Sequence, residues 1–318
     1  MSWSTMANEI AGTTPVPLPL ALTLVNRSWL AIQREFEWSF LYDTVTIPTL
    51  SPIAAGMVGI LSGTNTVAGD ADATAAWNAV GINLTQMQFR VGTGAFYPIT
   101  AYTNDPDTNL GTLTLEKPFV DLAPAQGIGG YQLVQAYFNA PTPDFIWWES
   151  IRDPYTSNPI STTLTREAVD RLDPMRFQGG FVRGVLPFRV NPAPGTFYGW
   201  PQYEMWPLPQ SGTTYIGSYF RRGLPFTKPT DTVLAPLGED VVLAAAKVRA
   251  YEWCAANPDK CPKADYRFLM GSAQAEKREL LNSYILTDES FSHRHIIDTD
   301  TNFHSLPWIS MSQELLHT

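Results

Sequence analysis

Two amphipathic helical patterns near opposite ends of the chain constrain its fold more than any other feature. From Pro19 to about Leu41, apolar residues recur at spacings of three and four: Leu22, Val25, Trp29, Ile32, Phe36 and Phe40. From about Gly238 to Ala256 the pattern returns at Leu237, Val241, Ala245, Val248, Tyr251 and Ala255. Such spacing places apolar side chains on one helix face, which has to be buried against another element. We therefore expect these two helices to pack together, with the intervening chain inserted into a helical core.

The intervening segment changes to the two-residue alternation of β-strands. Tyr42 to Pro48 alternates in this way, and residues 49–140 form short apolar runs separated by turn residues. Runs of that length and spacing are typical of a small antiparallel sandwich or barrel. Within this region Asp72 to Asn78 predicts a short helix. Asp144 to Arg152 is rich in aromatic and β-branched residues and favours a strand.

These patterns predict an α+β fold in four parts. An amphipathic helical bundle carries an inserted antiparallel β-sandwich or barrel module, a flexible arm precedes it and an extended C-terminal tail follows it. The expected bounds are 1–17 for the arm, 18–48 together with 141–287 for the helical core, 49–140 for the β module and 288–318 for the tail. Two further core helices are expected, one from near Thr165 to before Asp173-Pro174 and one from the capping residue Asp265 to about Leu286.

The C-terminal tail has neither a helical period nor a cap. It contains all four histidines of the chain and several large apolar residues. A segment this apolar is expected to become ordered against another surface, most economically as an extended segment added to a partner's sheet or groove. The alternative is that it folds back on its own subunit. The residues expected to dock on a partner are Phe291, His293, His295, Ile296, Ile297, Phe303, Leu306, Trp308 and Ile309.

No arrangement of residues predicts an enzyme, and we expect no catalytic residue and no cofactor. His293 is the first histidine of the chain, which removes most Ser-His-Asp triads. The glycine-rich run at 127–130 is not followed by the Gly-Lys-Ser/Thr of a phosphate loop. Asp170 and Asp173 are paired carboxylates of the kind that glycosidases use, but a helix face and an Asp-Pro helix stop explain them more simply.

Metal binding is not expected either. His293 and His295 could face one metal ion from a strand, but the third ligand would have to come from the same tail. The run 298–302 begins like a calcium loop and lacks the required glycine and glutamate. The run 105–109 also lacks the glycine and is better interpreted as a turn. Cys254 and Cys261 have no second pair to complete a zinc site, and we expect them to remain thiols.

The net charge of −9 argues against tight nucleic-acid binding, which needs clustered lysine and arginine. An acidic surface instead lets a DNA duplex slide past. Charged residues make up only 16% of the chain, replaced by small polar residues, proline and glycine. That composition suits either a surface buried by neighbouring subunits or a loop-rich extracellular or viral β-protein. The sequence has no signal-peptide pattern and no apolar run of membrane-spanning length, so we expect the protein to be made and used without crossing a membrane and to have no membrane partner.

A series of motifs runs in order along residues 18–286. They are Trp38-Ser-Phe-Leu, Gly63-Thr-Asn-Thr-Val, Gln88-Phe-Arg-Val-Gly, Asp173-Pro-Met-Arg, Tyr203-Glu-Met-Trp-Pro-Leu-Pro, Tyr219-Phe-Arg-Arg-Gly and Ala246-Lys-Val-Arg-Ala-Tyr-Glu-Trp. With the helix–β–helix order, they resemble the head-to-tail adaptor, or connector, proteins of tailed bacteriophages. The resemblance implies a helical bundle bearing a β domain, assembled as a twelve-subunit ring beneath the portal, with its C-terminal tail docked on the portal.

The expected function is therefore a structural one, in the neck of a virion between the capsid portal and the tail. The expected partners are the portal protein, tail or nozzle proteins, further copies of the chain, and double-stranded DNA that passes through the channel during genome retention and ejection. One alternative is another neck or tail component, such as a stopper or a tail-tube-like ring. A second is a receptor- or carbohydrate-binding virion module, because aromatic platforms such as Trp147-Trp148 can stack on sugar rings.

Overall fold

The computed structural model describes residues 1–291, except residues 106, 109, 122–127, 157, 175, 192–199 and 262–264. The chain forms two compact units. The helical unit consists of Met1–Tyr42 and Arg222–Thr318, and the β unit consists of Asp43–Arg221. The protein is thus a mixed α+β protein with helices and curled, mainly antiparallel sheets, as the sequence predicts at that level.

The predicted helices are largely confirmed. In the described residues the α-helices are α1 (Trp3–Thr13), α2 (Leu18–Glu35), α3 (Ala71–Asn78), α4 (Arg166–Leu172), α5 (Glu239–Ala256) and α6 (Tyr266–Phe291), with 3-10 turns at Ser39–Leu41 and Leu84–Gln86. The first predicted helix ends earlier than expected, because Phe36 has an extended backbone. The last one runs on to Phe291 instead of Leu286, and the Asp265 side chain accepts a hydrogen bond from the Phe268 amide at its start.

The strands of the described residues all lie in or directly before the β unit. They are β1 (Tyr42–Pro48), β2 (Val58–Gly59), β3 (Thr66–Gly69), β4 (Met87–Val91), β5 (Tyr97–Asn104), β6 (Gly111–Leu115), β7 (Ile128–Gly129), β8 (Tyr131–Gln135), β9 (Tyr137–Asn139), β10 (Phe145–Arg152), β11 (Pro159–Ile160), β12 (Gly179–Gly180), β13 (Gly184–Asn191), β14 (Trp200–Trp206), β15 (Leu208–Pro209) and β16 (Thr214–Arg221). The strands predicted at β1 and β10 are confirmed.

Helix α5 is the centre of the helical unit and packs against α1, α2 and α6. The expected pairing of α2 with α5 is therefore confirmed. The expected flexible arm differs from the structure, because most of it is α1. Ser2 caps α1 by accepting a hydrogen bond from the Thr5 amide, and Met6 and Ile10 are fully buried. Burial of that apolar side stabilises a helix whose small polar residues do not predict one.

A column of aromatic rings, stacked except for the edge-to-face contact of Phe36 with Trp38, joins the two chain segments of the helical unit. Neighbouring ring centroids are 5.1–6.2 Å apart along the series Trp3, Phe226, Trp29, Phe40, Trp38 and Phe36. Two of the tryptophans also donate to backbone carbonyls across the unit: Trp3 Nε1 to Leu22 at 3.0 Å, and Trp29 Nε1 to Leu224 at 3.0 Å. Aromatic stacking and satisfied indole groups together hold the segment that leads into α5 against α2.

The largest sheet of the β unit has the order β7-β2-β3-β6-β5-β4-β8 and curls back on itself. Val58 of β2 pairs with Gly129, and Ile53, just before β2, exchanges two backbone hydrogen bonds with Leu133 of β8. Residues 53–59 therefore pair with both ends of the sheet. Its interior is apolar, and Trp77 of α3 lies across it, with the Nε1 group donating to the Tyr131 hydroxyl at 2.8 Å.

The remaining sheets bring residues 141–221 into the β unit, and not into the helical core where we expected them. One has the order β1-β16-β10-β11 and another β13-β14-β9, while β12 pairs in parallel with β15. Their shared core contains Phe138, Trp148, Tyr215 and Tyr219. The unit therefore spans 43–221, instead of 49–140, because these aromatic strands bury one another.

Two hairpin loops of the β unit share one hydrogen-bond pattern, in which an aspartate carboxylate accepts from groups two and three residues further on. In the β5–β6 loop the Asp105 carboxylate accepts hydrogen bonds from the Asp107 amide and the Thr108 hydroxyl. In the β10–β11 loop the Asp153 carboxylate accepts from the amide of Tyr155 and from the hydroxyl of the threonine three residues after the aspartate. The interpretation of 105–109 as a turn and not as a calcium loop agrees with these contacts, because the first carboxylate is used within its own loop.

Candidate functional site

A cluster of charged groups lies in the β unit between α4 and β14. Arg176, whose φ of 55° is unusual for a residue with a side chain, is its centre. Its Nε donates to Glu204 at 2.5 Å, its Nη2 to Asp170 at 2.6 Å, and its Nη1 to the carbonyl of Asp173 at 2.6 Å. Burial alone would lower the pKa of Arg176, but hydrogen bonds and charge from Glu204 and Asp170 outweigh it, so the net shift is upward.

Asp173 completes this cluster and shows that it is structural. Its carboxylate accepts hydrogen bonds from the amides of Phe177 and Gln178, at 2.8 and 3.0 Å, and from Trp206 Nε1 at 3.2 Å. With these bonds and those to Arg176 in place, the carboxylates secure the connection from α4 to the following strands. The sequence interpretation of Asp173 as a helix stop is consistent with its position, but Glu204 lies too far along the chain for spacing to reveal the pairing.

A cleft of about 450 Å³ opens in the same unit, and we call it the Arg183 cleft. It lies between the β10–β11 loop and the segment that leads into β13. Its lining residues are Asp153, Thr156, Asn158, Pro159, Ile160, Phe181, Val182, Arg183 and Tyr215. Ile160 and Val182 are buried, whereas Phe181 is 75% exposed at the rim. The cleft thus combines an apolar base, an accessible aromatic ring and several hydrogen-bonding side chains.

The residues that line the Arg183 cleft differ in how many of their polar atoms already have hydrogen-bond partners within the protein. Asp153 uses both carboxylate oxygens within its own loop, and its pKa is lowered, chiefly by the Tyr155 amide. Burial raises the pKa of Tyr215, so its hydroxyl stays protonated at neutral pH. The Arg183 backbone is bonded on both sides, by its amide to the Trp206 carbonyl and by its carbonyl to the Ser161 amide, both at 2.9 Å. Sequence reasoning did not identify this cleft, because its residues come from three separate segments.

The surface of α6 is the other candidate functional surface, and it belongs to the helical unit. Ala273 and Asp288 are buried on one side of the helix, whereas Phe268 and Leu286 are 74% and 68% exposed. Because 18 residues make five helical turns, these two side chains lie on one line along the helix, about 27 Å apart. That line is about 140° around the helix from Ala273. The outer face of α6 therefore exposes one large apolar side chain near each end of the helix.

The tail residues predicted to dock on a partner fall almost entirely outside the described residues. Phe291 is the last residue of α6, so the tail expected from residue 288 begins with four helical residues. The remaining ones lie beyond the described part of the chain: His293, His295, Ile296, Ile297, Phe303, Leu306, Trp308 and Ile309. Among residues 1–291, with the gaps given above, no group of three or more histidine, cysteine, aspartate or glutamate side chains could hold a metal ion.

Cys254 and Cys261 are both buried and both free thiols. Burial first, and then the neighbouring Cys261, raise the pKa of Cys254 to about 12. A thiol with so high a pKa is a poor nucleophile at neutral pH. These groups therefore contribute to packing at the end of α5.

No family model matches this chain, and no curated protein matches it. In the part of the chain that the structure describes, no helix has both the length and the apolar character needed to cross a membrane. Function is therefore inferred from the residues and their geometry.

Proposed function

We propose that this protein is a head-to-tail adaptor of a tailed bacteriophage, a non-enzymatic structural component of the virion neck. Copies of the chain assemble into a ring, twelve-fold as in the family it resembles. The ring binds the portal on one side and tail or nozzle proteins on the other. It extends the channel through which DNA is retained and later ejected. The observation that carries this proposal is the outer face of α6, a long surface helix that leads directly into the apolar C-terminal tail.

The outer face of α6 supports assembly because a free subunit exposes it to water. Phe268 and Leu286 together would bury apolar surface worth several kcal/mol if both were covered, at about 1.5–3 kcal/mol for each large apolar side chain. A ring supplies a cover for this face on every subunit through one repeated contact, since its interface joins different surfaces of neighbouring copies. We therefore assign this face to the contact between adjacent subunits.

The β unit supports the finer description of the fold that the adaptor requires. We propose that the seven-stranded sheet is a closed barrel, because residues 53–59 pair with both of its ends. In this description the helical unit is the bundle that meets the portal, and the barrel faces the tail or the neighbouring subunit. The low fraction of charged residues, 16%, and the negative net charge of −9 suit a channel wall along which DNA passes without being bound.

The C-terminal tail supplies the contact with the portal in this proposal. Its docking residues begin at Phe291, the last residue of α6, and continue to Ile309 in the sequence that follows the helix. Each tail is short and its own affinity is expected to be modest. Many tails on one ring bind together, and each bound tail raises the effective concentration of the next.

Two variants test the contact with the portal and the contact between adjacent subunits separately. Deleting residues 292–318 should leave the helical content of the subunit intact and abolish binding to purified portal rings. Replacing Phe268 with aspartate should leave the subunit folded and prevent ring closure on the portal. Leu172→Asp, at a similarly exposed leucine of α4 with no assigned role, is the matched control and should assemble normally.

Electron microscopy of portal complexes reads out both variants, and circular dichroism confirms their folding. A truncated chain that still forms normal rings on portals would exclude the assigned role of the tail. Cross-links from the β unit alone, and to tail proteins alone, would favour the stopper or tail-tube alternative over the adaptor.

A further inference from the structure

We propose that the Arg183 cleft of the β unit is a binding site for an anionic saccharide, meaning a sugar unit that carries a carboxylate. The proposal concerns this cleft alone and is independent of the ring. It follows from the size of the cleft, the state of its charged groups and the position of its aromatic ring.

The size and the walls of the cleft suit one or two sugar rings. Its volume of about 450 Å³ is within the range of small-molecule sites, about 300–1,000 Å³. Ile160 and Val182 form an apolar base, and Phe181 stands at the rim with three quarters of its surface exposed. An aromatic ring of this kind offers a flat face to the C–H groups of a sugar, while polar groups around it read the hydroxyls.

Arg183 decides the charge of the ligand. Its guanidinium has no hydrogen-bond or ion-pair partner among the described residues, whereas its backbone is held by bonds to Trp206 and Ser161. Other arginines of this unit are committed: Arg176 to Glu204 and Arg171 to Glu167. A guanidinium matches a carboxylate through two parallel hydrogen bonds, so the exposed Arg183 side chain is available to pair with a carboxylate on the ligand.

The neighbouring polar groups favour a monoanionic sugar over a phosphate. Asp153 stays ionised beside the cleft with both oxygens engaged, so it does not compete for Arg183, yet its charge disfavours a dianion. Asn158 offers an amide that can both donate and accept, and Tyr215 offers a protonated hydroxyl. Such groups pair with sugar hydroxyls and give orientation to the ring.

The test uses the full chain and compares D-glucuronate with D-glucose, which differ at one carboxylate. Binding is followed by saturation-transfer NMR and calorimetry. We expect glucuronate to bind at least tenfold more tightly than glucose, because one charged bidentate pair separates the two ligands. Arg183→Met should remove that difference, and Phe181→Ala should weaken both sugars. Arg171→Met, at an exposed arginine outside the cleft, is the matched control and should change neither affinity.

Three results would overturn the proposal. They are equal affinity for glucuronate and glucose, unchanged glucuronate binding in Arg183→Met, and acetate or inorganic phosphate binding as tightly as glucuronate. A glucuronate-containing hexasaccharide then identifies the source of the ligand. Tighter binding of the hexasaccharide than of the monosaccharide supports the site as a reader of an acidic polysaccharide, and equal binding supports it as a site for a free acidic sugar.

Discussion

Replacing Glu204 with glutamine tests how much the buried charge cluster contributes to the stability of the β unit. Glu204 and Arg176 meet at 2.5 Å, with side chains that are 4% and 11% exposed. Glu167 and Arg171 also meet at 2.5 Å, but their side chains are 76% and 77% exposed. Glu204→Gln and Glu167→Gln are therefore the same chemical change at the same distance; the two sites differ in burial and in the second partner of Glu204, because Arg166 lies 3.7 Å from its other carboxylate oxygen.

The expected losses in free energy of unfolding differ several-fold between the two variants. Removing one partner of a buried ion pair costs about 3–5 kcal/mol, because the other charge is left without compensation. Here Asp170 still contacts Arg176 at 2.6 Å, and the glutamine oxygen can still accept a hydrogen bond, so we expect about 2–3 kcal/mol for Glu204→Gln. An exposed pair one helical turn apart contributes about 0.3–0.5 kcal/mol, which sets the expectation for Glu167→Gln.

Urea denaturation followed by circular dichroism and tryptophan fluorescence measures both changes. With a slope of about 2 kcal/mol per molar urea, Glu204→Gln should lower the midpoint by roughly 1–1.5 M and Glu167→Gln by roughly 0.2 M. The double variant Glu204→Gln with Arg176→Met should lose less than the sum of the single losses, because the two side chains share one interaction. Equal midpoints for the two glutamine variants would show that burial makes no difference to the strength of these ion pairs.

Three further predictions concern other parts of the fold. Gly63→Ala should lower the free energy of unfolding by about 1–2 kcal/mol, measured by thermal denaturation, because φ is +84° there although the space around it is open. Gly56→Ala should lower it further, because φ is +77° and the added Cβ would also overlap a backbone amide nitrogen of α3. The pKa values of Asp105 and Asp153, followed by NMR, should both lie below the ordinary value of 3.8, chiefly because backbone amides donate hydrogen bonds to the carboxylates. The ionised carboxylates stabilise their loops above pH 3.8, and this contribution is lost as the pH falls through the lowered pKa. Replacing either aspartate with asparagine should remove the pH dependence that this residue contributes. Phe226→Ala should lower the free energy of unfolding by about 3–5 kcal/mol and speed amide hydrogen exchange in α1, because this buried ring stacks between two tryptophans. Unchanged exchange would show that the aromatic column does not hold α1 in place.

Elements with a strong period or a clear cap were predictable from the sequence. The apolar residues of α5 recur every three or four positions, and Asn257-Pro258 ends the helix where predicted. Thr165 caps α4 and Asp265 caps α6, each through a hydrogen bond to an amide three residues on. These signals are local, because capping and helix periodicity involve residues within a few positions of one another.

Elements that depend on docking were not predictable in this way. Helix α1 was expected to be a flexible arm, although Met6, Ala7 and Ile10 have helical spacing, because a single short apolar stripe without strong helix formers is a weak signal. The candidate sites are harder still. Phe181 and Arg183 approach the Asp153 loop through the backbone pairing of Ser161 with Arg183 and Gly184, for which spacing along the chain carries no signal.

Side-chain periodicity and turn residues act over short distances along the chain, so the α+β fold class, the positions of the long helices and the β-rich segment between them could be predicted from the residues. The folded protein was needed to reveal that residues 43–221 form one unit, that Arg176 pairs with Glu204, and that the Arg183 cleft exists. Burial and ion pairing depend on which distant segments meet, and strand register brings those segments together through contacts that no local pattern encodes.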